Sequence, residues 1–206
     1  MKIIFEDNDI LVAIKPPEIL SQGDEKGRAN AVDILKEITG SEVFPVHRLD
    51  NGVGGVMVFA KNAGAAAELS RQVSDRTMEK TYLALLHGEI AEERGRLEDL
   101  LFFDRGKNKS FVVKRERRGV KKALLDYECL EKAEGKSLVR VKLITGRTHQ
   151  IRVQFSSRGY PLFGDRRYGA RDEEKSIALL SKEISFVHPK TGERMTFESD
   201  RTGLLQ

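Results

Sequence analysis

The chain has 206 residues, with 36 Lys and Arg against 32 Asp and Glu, a formal charge of +4 and a single cysteine. That length fits one domain or two small ones and buries a core without staples. The lone Cys129 excludes an internal disulfide framework, and no run approaches the roughly 20 apolar residues of a membrane helix.

The opening, KIIFEDNDILVAIKPP, has two apolar runs either side of a polar break at Asn8-Asp9, the pattern of a hairpin. NAVDILKEITG reads as a short helix with Asn30 as N-cap and Gly40 as its stop. GVMVFAK is a strand whose continuous apolar run predicts burial on both faces. NAGAAAELSRQVSDR follows as an alanine-rich helix capped by Asn62. EKTYLALLHGEI is a strand with Lys80, Tyr82, Ala84 and Leu86 on one face. KALLDYECLEKAEGKSLVRVKLIT forms a hairpin turning at EGK, and GRTHQIRVQFSSRG a helix with Ile151 and Phe155 on its inner side. Two further strands, joined by residues 189–192, complete the pattern. Strands dominate and three helices are dispersed, so the expected class is α+β: one domain over 1–206 with a central, mostly antiparallel mixed sheet flanked by helices.

Charge is unevenly placed. Residues 105–122, RGKNKSFVVKRERRGVKK, carry nine Lys or Arg and one acid, a local +8 on a body of −4. Such concentration favours contact with a polyanion over a solvated loop. The candidates are Lys107, Lys109, Lys114, Arg115, Arg117, Arg118, Lys121 and Lys122.

No phosphate-binding glycine loop, dinucleotide fingerprint or nucleophilic-serine elbow is visible, and the four histidines lack metal-ligand spacing. Any activity is therefore expected to need no metal and no cofactor, and to rest on ordinary side chains. Asp50, in HRLDNGVGGVMVFAKN, leads them. A carboxylate in a cleft tends to take up a proton unless a cation or donor holds its charged form. Arg48, Arg147 and Arg152 could each supply that cation.

In this order, HRLDNGVGGVMVFAK, EKTYLALLHGEI and TGRTHQIRVQFSSRGYPLFGDRRYG resemble the successive motifs of the RluA-type pseudouridine synthases. ILVAIKPPEILSQGD is similar to that family's first motif and IALLSKEISFVHP to its last, so the resemblance runs from about residue 8 to 189. It implies the pseudouridine synthase fold. It also implies that Asp50 is the catalytic aspartate, Arg152 the arginine that pairs with it, and Tyr82 the aromatic residue packing against the target base. Arg48 matches a residue proposed to fill the space left by the extruded uridine, and Leu179 an apolar position lining the pocket.

The activity so implied is isomerisation of specific uridines in ribosomal or transfer RNA, with a structured stem-loop as partner in the cytoplasm and no obligate protein partner. The basic segment lies where relatives carry a loop that grips folded RNA. Three departures stand out: Val53-Gly54 replace the usual Thr-Ser, Leu180-Ser181 the usual His-Ala, and Gln154 a usual His. The first motif opens the sequence, so no small N-terminal RNA-binding domain of the kind many relatives carry is expected. Two rival readings remain: an RNA-binding or RNA-remodelling module without catalysis, and a hydrolase in which Asp50 activates water. The second is weakened by the lack of a second acid.

Overall fold

The polar break at the N-terminus folds back as the sequence requires. β1 (Lys2–Glu6) pairs antiparallel with β2 (Ile10–Lys15). Asp7 makes the turn by accepting the backbone N–H groups of Asp9 and Ile10 on one carboxylate oxygen, both at 2.8 Å. The computed structural model describes residues 1–200, and they divide into two compact units. Among the described residues one is Met1–Lys80 with 180–200; the other is Thr81–Leu179.

In the first unit, α1 (Ala31–Thr39) starts at Asn30, whose side chain accepts from the Asp33 N–H, and stops at Gly40 in the left-handed region. The two-residue β3 (Phe44–Pro45) and then β4 (Gly54–Ala60) follow; every residue of β4 is buried. α2 (Ala63–Asp75) is capped by Asn62 through the Ala65 N–H. The strand order is β1-β2-β4-β10, where β10 is Leu179–Val187, and β11 (Arg194–Glu198) pairs antiparallel with β10. β10 lies parallel to β4, with Leu180 opposite Gly54 and Ser181 opposite Gly55. α2 lays Ala65 and Leu69 over Val12, Val58, Ile184 and Phe186. Each such buried aliphatic or aromatic side chain contributes about 1.5–3 kcal/mol.

In the second unit all pairings are antiparallel, in the order β5-β9-β8-β6-β7. β5 (Glu79–His87) buries Tyr82, Ala84 and Leu86 and leaves the alternate residues half-exposed. β8 (Val120–Ala133) and β9 (Lys136–Leu143) meet at Glu134-Gly135, both with positive φ, as a tight hairpin demands. β6 (Arg94–Asp104) and β7 (Lys109–Val113) form a hairpin that the sequence pattern did not reveal. The basic segment is therefore not one loop. Lys109 sits on β7, Lys121 and Lys122 sit on β8, and only the stretches around 105–108 and 114–119 are turns.

Helix α3 (Gln150–Ser156) is shorter than GRTHQIRVQFSSRG suggested, because His149 takes a left-handed φ of 55° and delays its start. Ile151 and Phe155 do face inward, and the Phe155 ring meets Tyr127 edge-on at 5.5 Å. The class is α+β, mostly antiparallel with a parallel junction at β4 and β10. Among the described residues no helix is long and apolar enough to cross a membrane.

Candidate active site

Asp50 stands in a turn that closes just before β4. Its carbonyl accepts the Val53 N–H at 3.1 Å, and Gly52, at the third position, has the positive φ (84°) that such a turn requires. The Gly52 N–H is tied to the Pro17 carbonyl at 3.2 Å. On the other side, the Ser21 hydroxyl brackets Leu49, donating to its carbonyl and accepting its N–H, both at 2.9 Å. Leu49 is buried, so its neighbours Arg48 and Asp50 leave the opposite side, Arg48 exposed and Asp50 half-buried.

The departure at Val53-Gly54 has a physical explanation here. Val53 is buried, and a Cβ on Gly54 would lie 3.0 Å from the Lys15 carbonyl. Main-chain bonds, close packing and the distant Ser21 hydroxyl stiffen the turn without hydroxyls at 53 and 54. The second departure fits the same region: the Ser181 hydroxyl, buried, donates to the Val56 carbonyl at 3.0 Å.

Lys15 lies at the end of the wholly buried β2, and its ammonium donates to the carbonyls of Pro16 (2.9 Å) and Ile19 (2.6 Å). Burial pulls it down to about 8, opposed by the negative charges of Glu18 and then Asp50. Asp50 thus has a buried cation within electrostatic reach in its own unit. His47 is not a base in waiting. Its Nε2 accepts the Val58 N–H at 3.2 Å, its Nδ1 is buried without a partner, and burial, then the charge of Lys80, pushes it well below the usual imidazole range.

In the second unit, Arg152 on α3 is 4% exposed. Its Nε and Nη2 donate to the two carboxylate oxygens of Asp165 at 2.7 and 2.9 Å, and its guanidinium stacks on the Tyr168 ring at 5.0 Å. This fork is the two-toothed geometry that makes arginine a strong carboxylate ligand. Tyr82 is buried on β5 opposite Val141 of β9, and Leu179 is 6% exposed where β10 begins. Gln154, at the third departure, is fully buried and donates to Asp99 at 2.7 Å. Lys107, Lys114, Arg115, Arg117, Arg118, Lys121 and Lys122 are exposed, and Lys109 is half-buried.

Asp7, Asp9 and His188 also come together, a grouping that could ligate a metal. The imidazole is already committed, however. Its Nδ1 accepts the N–H groups of Lys190 and Thr191, so Nε2 carries the proton and donates to Asp7 at 2.8 Å. The cluster closes the end of β10 against the β1–β2 turn.

The family model for RNA pseudouridylate synthase matches residues 9–157, most of the chain. The chain belongs to the RluA-type RNA pseudouridine synthases. It is 38% identical to an RNA pseudouridine synthase of Aquifex aeolicus over 96% of this chain and 68% of that one. It is 32% identical to the dual-specificity RNA pseudouridine synthase RluA of Haemophilus influenzae, over 97% of this chain and 92% of that one. The structure of human RNA pseudouridylate synthase domain containing 1 superposes with a TM-score of 0.79 at 25% identity, covering 97% of this chain and 83% of that one.

A pseudouridine synthase is an isomerase acting on RNA, and the position of Asp50 in this family member is the natural place to look for its chemistry. Sequence reasoning passed over Lys15, Ser21, Asp165 and Tyr168. Lys15 had a signal, a lone lysine ending an apolar strand. Asp165 and Tyr168 lay within the quoted GDRRYG but had no assigned role, because their partners are distant in sequence.

Proposed function

We propose that the protein converts specific uridines of structured RNA to pseudouridine, with Asp50 as the essential carboxylate. The observation that carries this reading is the Asp50 turn: a half-exposed carboxylate on a main-chain-locked loop, with the buried Lys15 cation in reach. In the reaction the bond from N1 to the sugar C1′ breaks, the uracil turns, and C5 joins the same C1′; C5 loses a proton and N1 gains one. Nothing is oxidised and no water is consumed. Asp50 attacks C1′ or stabilises a cationic sugar.

Arg152 is proposed as a further catalytic residue from its place in the HQIRV motif, and its Nε and Nη2 edge is held by Asp165. Tyr82 supplies a face for the extruded base, Arg48 fills the gap in the stack, and Leu179 lines the pocket. Extrusion costs a few kcal/mol, and a stacked base returns about 1–3 kcal/mol. The lysines and arginines of residues 107–122 contact phosphates and set affinity and salt dependence.

Relatives include the dual-specificity enzyme of Haemophilus influenzae and a ribosomal large subunit pseudouridine synthase C of Buchnera aphidicola. The second name supports ribosomal RNA as a target, and the proposed substrates are stem-loops of ribosomal or transfer RNA in the cytoplasm. The test is pseudouridine mapping of total RNA from cells with and without the protein. Loss of one or more sites supports the reading; an unchanged map refutes it.

A further inference from the structure

Tyr168 lies between two parts of the second unit that the proposed function treats separately, the basic hairpin β6–β7 and the helix bearing Arg152. It is 5% exposed and ends a short 3-10 turn, Arg166–Tyr168, directly after Asp165. Two cations stand over its ring, the Arg152 guanidinium at 5.0 Å and the Lys109 ammonium at 5.0 Å. The Lys109 ammonium also donates to the Arg167 carbonyl at 2.6 Å.

The hydroxyl makes a second connection. It accepts the Ser110 N–H of β7 at 2.7 Å and lies 3.0 Å from Nδ1 of His149, the residue before α3. A third contact, to the Ser110 carbonyl, is longer at 3.3 Å. The phenol thus accepts from and donates to the Ser110 backbone of β7, with Nδ1 of His149 beside it. Burial holds the donated proton by pushing the phenol above its ordinary range. The ties extend to both ends of the helix. The Ser110 hydroxyl donates to the Thr148 carbonyl at 2.6 Å, and the Ser156 hydroxyl to the Tyr168 carbonyl at 2.5 Å.

We infer that Tyr168 is a positioning residue that couples phosphate contact at Lys109 on β7 to the orientation of Arg152. A phosphate drawing the Lys109 ammonium off the shared ring changes the field and packing at the ring that Arg152 also contacts. The hydroxyl keeps strand and helix in register while that happens. RNA bound on the hairpin is then sensed at the guanidinium, through contacts of one side chain. The inference deepens the proposed function and rests on it for its kinetic arm only.

The test uses the full chain as wild type, Y168F, Y168L, K109Q and the double variant Y168L/K109Q. Pseudouridine formation is followed on RNA from cells lacking the protein. Y168L should lower kcat about 30-fold with KM within about threefold, and Y168F, which keeps the ring, should recover part of that activity. K109Q should lower kcat about fivefold in the wild-type background and not at all in Y168L. The second arm follows the Arg152 Nε–H resonance while a short RNA hairpin with an all-uridine loop is added. The signal should move in wild type and stay in Y168L, although both bind. Equal movement in both proteins, or equal kcat effects of K109Q in both backgrounds, overturns the coupling. If wild type forms no pseudouridine, the functional reading fails, while the resonance arm still decides the coupling.

Discussion

Arg152 and Asp165 form a two-toothed ion pair, at 2.7 and 2.9 Å, with side chains only 5% and 1% exposed. Breaking such a pair by removing one partner leaves a charge without compensation in a low-dielectric interior, at about 3–5 kcal/mol. D165A should therefore lower the urea midpoint sharply and reduce activity with it. Replacing both partners, R152M/D165L, should destabilise less than D165A while abolishing activity. Urea unfolding monitored by circular dichroism, beside a pseudouridine assay, separates the two effects.

A backbone argument gives a second expectation. Gly55 has a φ of 121°, and a Cβ there would fall 2.2 Å from the Ser181 carbonyl oxygen on the paired strand β10. The obstructing atoms are backbone, not the end of a flexible side chain, so the strands must separate. G55A should cost on the order of 3 kcal/mol or more and yield mostly insoluble protein. Solubility and thermal melting beside the control G146A check it; Gly146 has open space at its Cβ position and no left-handed φ, and should be far less affected.

These cases show how much of the fold the sequence announced. The Asn30 and Asn62 caps, the buried run of β4 and the Glu134-Gly135 hairpin were all legible, because each is decided by neighbouring residues. The β6–β7 hairpin was not, because closely spaced charges obscured the alternation of SFVV. For the candidate site, the motifs singled out Asp50 and Arg152 as the residues to test. The Asp165 fork and the Tyr168 contacts depend on residues up to 59 positions apart, a juxtaposition that only the folded chain supplies. The Asp7-His188 contact, 181 positions apart, was invisible for the same reason.

The basic turn between β7 and β8 should govern affinity through charge. Lys114, Arg115, Arg117 and Arg118 are exposed, and Arg117 lies over the Phe102 ring at 4.7 Å. Neutralising all four to Gln should weaken RNA binding and flatten the plot of log affinity against log salt. The slope should fall by about 0.7–0.9 for each phosphate that the variant no longer neutralises. Filter binding from low to moderate salt measures it, and an unchanged slope would remove these residues from the interface.

Stability should also rise with pH in a defined window. Burial drops the Lys80 ammonium to about 8, and Lys15 is lowered likewise. In the unfolded chain both titrate near 10.5, so between about 8 and 10.5 the unfolded state binds more protons and unfolding becomes less favourable as pH rises. Tyr127 and Tyr168, raised by burial, act in the opposite sense near pH 10. Urea unfolding between about pH 7.5 and 9.5 should therefore show stability increasing, and K80M should reduce that increase.

The central claim is that the Asp50 carboxylate carries the chemistry. The direct measurement restores wild type or D50N to cells lacking the protein and maps pseudouridine in their RNA, with folding of each protein verified by circular dichroism. Wild type should restore the missing sites, and D50N, equally folded and still binding RNA, should restore none. Full restoration by D50N would contradict the account.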